Sequence, residues 1–154
     1  LDVSINDFIA SGKPFLGICL GFQLLFNKSD EFEDTFGLGI LSGEVKSFSA
    51  LNNKIRVPHV GWNNIKKKQV PNIKNNFDPL KKLNDQEYFY FVHSFYVEPE
   101  DNRDIYTTTE YGGHNFCSSI LKDNIFACQF HPEKSGKKGI RILSEMFLKD
   151  IREN

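Results

Sequence analysis

Two stretches of the 154-residue chain could carry nucleophilic chemistry together. The first, Gly17-Ile18-Cys19-Leu20-Gly21, has the G-x-nucleophile-x-G pattern with cysteine in the reactive place. It follows a short apolar run, Phe15 to Ile18, and precedes a helix-like run, Leu20 to Phe26. That context sets Cys19 on a sharp turn between a strand and a helix, where flanking side chains would collide and both neighbours are glycine. A helix N-terminus beneath the sulfur favours thiolate over thiol. The Leu20 amide would point to where an oxyanion develops.

A cysteine nucleophile needs a base and a group to orient that base. Of His59, His93, His114 and His131, the last stands in Gln129-Phe130-His131-Pro132-Glu133-Lys134-Ser135. Pro132 stiffens the chain there, and the Glu133 carboxylate can reach the imidazole. Cys19, His131 and Glu133 then read as nucleophile, general acid–base and orienter. The plainer alternative is a cysteine packed between two glycines and a satisfied surface histidine. Neither C-x-x-C nor H-E-x-x-H occurs, so no metal site is expected, and no cofactor.

The elements that must position these groups follow from periodicity. Val3, Ile5, Phe8 and Ile9 form one helical face, which Gly12 and Pro14 end. Phe15–Ile18 reads as a buried parallel strand. Ile40–Phe48, Lys54–Val57, Tyr88–Val92 and Ile105–Thr109 read as further strands, and the Tyr111-Gly112-Gly113 turn ends the last of these. Phe116–Leu121 and Ile125–Phe130 flank Lys122-Asp123-Asn124 as a hairpin. Residues 63–82, rich in Asn and Lys, read as a solvated loop. A final helix from about Lys137 presents Ile140, Leu143, Phe147, Leu148 and Ile151 on one face. Cys117 and Cys128 read as small buried groups on the hairpin arms, and His114 as a solvated turn residue. Asp30, Glu31, Glu33 and Asp34 read as a solvated acidic loop. The class is α/β, in one domain over residues 1–154.

Composition narrows the setting. The chain is 40% hydrophobic and 25% charged, the balance of a folded globular protein rather than a disordered one. Its net charge of -1 supplies no field for nucleic acid or an anionic membrane. No apolar run approaches the roughly 18 residues of a membrane span. Three irregularly spaced cysteines point to reduced thiols in a cytoplasmic compartment.

Gly17-Ile18-Cys19-Leu20-Gly21-Phe22-Gln23 and the Gln129–Ser135 run resemble the class I glutamine amidotransferases. Val57-Pro58-His59-Val60-Gly61-Trp62-Asn63, then Tyr90-Phe91-Val92-His93-Ser94, then Tyr111-Gly112-Gly113 resemble, more narrowly, the glutaminase subunits of imidazole glycerol phosphate synthase. The resemblance implies a doubly wound, flavodoxin-like mixed sheet with the nucleophile elbow after a central strand. It implies hydrolysis of glutamine to glutamate and ammonia through a glutamyl thioester. The ammonia would pass to a cyclase partner with a TIM-barrel fold, in a heterodimer, for a step of histidine biosynthesis.

Carried over by position, Cys19, His131 and Glu133 form the triad. Leu20, Gly21 and Gln23, with the strand-end segment His93, Ser94 and Phe95, hold the substrate. Pro58, His59, Val60, Gly61, Trp62 and Asn63 face the cyclase, and Tyr90 and Lys134 flank the ammonia exit. Two departures stand out. Phe95 occupies a place where the family often has Tyr, which leaves backbone contacts to do the holding. Nothing before Gly17 matches the family's P-G-x-G oxyanion loop, so an N-terminal part is expected to be missing. Two alternatives share most of these motifs: a paralogous amidotransferase subunit serving surface-sugar biosynthesis, and a non-catalytic subunit that only docks a cyclase.

Overall fold

The computed structural model describes residues 2–32, 35–51, 55–69 and 77–152, with residues 2 and 148–152 as backbone alone. Helix α1 (Asp2–Ala10) leads into β1 (Phe15–Ile18), and α2 (Leu20–Gln23) follows Cys19 directly. Two short strands, β2 (Lys28–Ser29) and β3 (Thr35–Phe36), precede β4 (Gly43–Ser47). Then come β5 (His59–Asn64), β6 (Lys66–Lys67), β7 (Tyr88–His93), β8 (Phe95–Pro99) and β9 (Ile105–Tyr111). A hairpin of β10 (His114–Lys122) and β11 (Ile125–Cys128) leads through a 3₁₀ turn (Pro132–Lys134) into α3 (Gly136–Arg152). No described helix is long and apolar enough to cross a membrane.

Among the described residues nine strands form one mixed sheet whose main path runs β1-β11-β10-β8-β4-β2-β3, with β9 on β10 and β6 on β9. β5 and β7 pair separately, antiparallel from His59 opposite His93 to Asn64 opposite Tyr88. β1 joins β11 in parallel, with Phe15 opposite Ile125 and Ile18 opposite Cys128. The alternation of β11 divides the core between the two faces of the sheet. Phe126 and Cys128 enter an aromatic cluster with Phe89, Phe91, Phe116 and Phe130. Ile125 and Ala127 enter an aliphatic one with Phe22, Leu25, Val45 and Val97.

Among the described strands β1 ends the main path of the sheet, beside β11. The element before it, α1, is a helix and offers no ladder. Ile55–Val57 is irregular rather than a strand, and Lys54 lies outside the described residues. The stretch from 63 onward is not all solvated loop. It holds the end of β5 and all of β6, and Phe77, Leu80 and Leu83 are buried. These three apolar residues are spaced widely enough among polar ones to escape a periodicity reading. His114 opens β10, half-buried, with its ring 4.8 Å from that of Tyr96.

The buried face of α3 is Gly139, Ile142 and Met146, while Ile140 and Phe147 are exposed. The apolar stripe is therefore turned by one residue from the expected one, and Leu148 and Ile151 have no described side chains. Gly139 explains the rotation. A Cβ there would collide with the Pro132 carbonyl, so only glycine lets α3 pack onto the turn that carries His131 and Glu133. Gly139→Ala is expected to destabilise the chain by about 1–3 kcal/mol by overpacking. In urea unfolding the midpoint should drop at unchanged slope, and an unchanged midpoint would contradict the contact.

Candidate active site

β1 and β11 end side by side, and the chain after each supplies one half of the site. The Cys19 amide donates to the Cys128 carbonyl at 2.8 Å, one step past the last paired residues. Such a C-terminal edge of adjacent parallel strands is where α/β sheets place ligands. Cys19 itself has φ 50° and ψ −104°, a left-handed conformation that costs a non-glycine residue of order 1–3 kcal/mol. The flanking glycines are not equivalent. A Cβ on Gly17 would lie 3.0 Å from the Gly21 carbonyl oxygen and 3.2 Å from the Ala127 Cβ, whereas one on Gly21 would meet open space. Steric need thus holds at Gly17 and not at Gly21.

The Cys19 thiol lies 3.8 Å from the Val92 carbonyl and accepts from Gln129 Nε2 at 3.5 Å. Burial raises its pKa above the ordinary 9.0, and the Leu20 amide and Gln129 oppose that rise. Here the sequence reading is corrected: α2 spans only four residues, and desolvation outweighs whatever its N-terminus offers. A thiol whose pKa is raised needs a base to react as a nucleophile.

His131 is the base the sequence names, and its surroundings fix it firmly. Its amide donates to the Tyr90 carbonyl at 2.9 Å. Ser135 Oγ donates to the His131 carbonyl at 2.6 Å and accepts from the Tyr90 amide at 3.0 Å. These bonds hold the backbone, while Nδ1 pairs with Glu133 Oε1 at 2.6 Å. The opposite ring nitrogen, Nε2, is buried and has no hydrogen-bond partner. A buried polar atom left open in a folded protein calls for a functional explanation.

Of the residues the sequence names for substrate holding, Gln23 and His93 meet at the Phe95 carbonyl. Gln23 Nε2 donates to the Phe95 carbonyl at 3.1 Å and to Gln129 Oε1 at 3.0 Å. His93 Nδ1 bonds the same carbonyl at 2.7 Å. Ser94 links β7 to β8, and its carbonyl accepts from the Phe48 amide at 3.1 Å. Leu20 is 57% exposed at the start of α2.

The segment from Pro58 to Asn63 divides by strand alternation. Pro58 is exposed, as are Val60 and Trp62, on the outer face of β5, and Gly61 and Asn63 are half-buried. His59 points inward instead, 3% exposed, and stacks on Tyr111 at 3.9 Å between centroids. It is therefore corrected from a docking residue to a core one. Asn63 Nδ2 donates to the Glu110 carbonyl at 2.8 Å, tying β5 to β9. Trp62 meets Tyr90 edge-to-face at 6.2 Å, and the Lys134 ammonium lies 5.8 Å over the Tyr90 ring. Trp62, Tyr90 and Lys134 thus make one cluster whose Tyr90 backbone also holds His131. Gln129, Ser135 and the His59–His93 contact drew no functional reading from sequence. Gln129 and Ser135 carried a signal only as the two ends of the Gln129–Ser135 run.

The family model described as glutamine amidotransferase class-I matches residues 3–150. The chain belongs to that family. Its amidotransferase fold is also visible in solved structures at low identity. A glutamine amidotransferase from Thermotoga maritima matches with TM-score 0.59 at 17% identity, over 99% of this chain and 54% of that one. The glutaminase domain of Trypanosoma brucei CTPS, solved with bound acivicin, matches with TM-score 0.57 at 15% identity, over 90% and 61%. Among curated relatives, the imidazole glycerol phosphate synthase subunit HisH of Gloeothece citriformis is 45% identical over 152 residues, 99% of this chain and 68% of that protein. The subunit of the same name from Aquifex aeolicus is 49% identical over 139 residues, 90% and 62%. The amidotransferase chain therefore spans roughly two thirds of these relatives' length, and less than that of the second.

Burial of these groups has two measurable consequences. Cys117 and Cys128 are fully buried, with thiol pKa values pushed up by desolvation. Iodoacetamide should modify Cys19 alone in the folded chain, at a rate still climbing as pH passes 9.0 because the Cys19 pKa is raised. Peptide mapping that finds label on Cys117 or Cys128 would contradict the burial. Desolvation lowers His59 to about 4 and His93 to about 3, against 6.5 when exposed. The unfolded chain therefore binds more protons as pH falls from 6.5 towards 3, and stability must decline across that window. The urea midpoint should be lower at about pH 5.5 than at about pH 7.5, with the two imidazole proton signals unmoved between them.

Proposed function

We propose that the chain carries the catalytic half of a glutaminase that supplies ammonia to an imidazole glycerol phosphate synthase. The observation that carries the reading is the Glu133-paired His131, whose buried and unpartnered Nε2 stands at the sheet edge that also bears Cys19. The family and the HisH relatives supply the substrate class.

In the proposed reaction His131 Nε2 takes the Cys19 proton, and Glu133 holds the imidazolium through Nδ1–H. The sulfur attacks the side-chain carboxamide carbon of glutamine. The carbonyl oxygen becomes an oxyanion, which the Leu20 amide can receive. His131 then returns the proton to the amide nitrogen as the C–N bond breaks, and ammonia leaves a glutamyl thioester. Water attacks next, giving its proton to Nε2. As the C–S bond breaks, glutamate leaves and the proton returns to sulfur.

Gln23 and the His93–Phe95 backbone hold the amino-acid head. Trp62 and Val60, exposed on β5, offer the apolar anchor of a docking face beside Tyr90 and Lys134. The partner would be the TIM-barrel cyclase of the synthase, in a cytoplasmic heterodimer.

Glutamate release, measured with and without the cyclase of this synthase, tests the reading. Cys19→Ala should abolish release. Glu133→Gln should lower kcat by about 10²–10⁴-fold, since it leaves the base unoriented. Trp62→Ala should weaken cyclase binding by roughly 30-fold, as loss of a central aromatic anchor of about 2 kcal/mol does. Release that survives Cys19→Ala would remove the triad, and indifference of binding to Trp62 would remove the docking face.

A further inference from the structure

A chain of hydrogen bonds runs beneath the site, and two main-chain carbonyls decide its direction. The Phe95 carbonyl can only accept, and it takes bonds from both His93 Nδ1 and Gln23 Nε2. Gln23 must therefore present its NH₂ group here, and Nε2 also donates to Gln129 Oε1 at 3.0 Å. Gln129, with its oxygen so engaged, turns its own NH₂ group the other way, where Nε2 lies 3.5 Å from Cys19 Sγ. At the far end the Glu110 carbonyl engages Asn63 Nδ2, which lies 3.3 Å from His59 Nε2. His59 then donates through Nδ1 to His93 Nε2 at 2.9 Å. No amide in this chain can flip, and neither ring can change tautomer, without setting donor against donor or acceptor against acceptor.

We propose that Gln129 is a positioning residue for the nucleophile: Gln23 and the Phe95 carbonyl hold its amide in one orientation, which keeps an N–H on the Cys19 sulfur. Gln129 is fully buried, so this bond acts in a poorly screened setting. A donor aimed at sulfur stabilises the thiolate that attack requires. Gln129 is among the groups that oppose the upward push of burial on Cys19. Its side chain supplies no proton and forms no bond to substrate; it acts through the sulfur. The use made of the thiolate rests on the glutaminase reading, but the contact itself does not.

The test is the pH dependence of iodoacetamide alkylation of Cys19, which needs no glutamine. Gln129→Met removes the donor, and Gln129→Glu replaces it with a carboxylate of the same shape. Each should slow alkylation at neutral pH on the order of tenfold, a loss that corresponds to about one pH unit of thiolate stabilisation. Gln23→Met frees the Gln129 amide and should slow alkylation less. The double variant Gln23→Met/Gln129→Met should be no slower than Gln129→Met alone, because both changes act through one bond. Thermal unfolding identifies any variant that fails to fold, and the comparison is made among those that do. Unchanged alkylation in folded Gln129 variants, or additive slowing in the double variant, overturns the proposal. Normal slowing with no glutamate release from the parent protein would retain the contact and sink the glutaminase reading instead.

Discussion

The site depends on the parallel pairing of β1 with β11. Phe15 to Ile18 align with Ile125 to Cys128, and the Cys19 amide continues the ladder onto the Cys128 carbonyl. That last bond fixes where the sulfur stands relative to a chain segment far away in sequence. Parallel strands end on the same side of the sheet, so the segment after β1 and the segment after β11 must both emerge there. The segments that carry Cys19 and His131 leave the sheet side by side because their strands run side by side. A slip of one residue in this register would turn every β11 side chain to the opposite face and carry His131 away from the elbow.

The scaffold then spends polar groups where it needs fixed geometry. His131 is held by its backbone through Tyr90 and Ser135 and by its ring through Glu133, which leaves one nitrogen open. His59 and His93 sit beside the aromatic cluster, neutral, and pass hydrogen bonds between two backbone carbonyls. Buried imidazoles in such a place lower stability in acid, and they hold their neighbours in single orientations in return. Cys19 takes a left-handed backbone, and Gly17 and Gly139 permit the close contacts that brace the turns on either side of the site.

Local patterns made a large part of this legible. The elbow at Gly17–Gly21 and the His131–Glu133 pair depend on residues a few positions apart, and such spacing survives any tertiary arrangement. The β10–β11 hairpin and the strand at Tyr88 were readable because alternation and turn residues agree there. β5 was not. Its Gly61 and paired Asn63-Asn64, with Pro58 just before, look like loop, and its strand character comes from six paired positions along β7. The α3 stripe failed for a related reason. Two apolar faces one residue apart compete on that helix, and the absence of a side chain at Gly139 selects between them.

By itself the sequence determined the chemical types: a cysteine on a turn, a histidine with a carboxylate two residues on, and an α/β chain to carry them. Those follow from short-range sterics and from the demands of each reaction on side-chain type. The tertiary structure alone decided which groups touch. It placed Gln129 on the sulfur, buried His59 against His93, and set Trp62, Tyr90 and Lys134 in one cluster. It also decided that the Cys19 pKa is raised, because burial depends on everything packed around the sulfur and not on the few residues beside it. Contacts between distant segments are set by strand register and by the filling of a shared core, and neither is written in any local stretch of the chain.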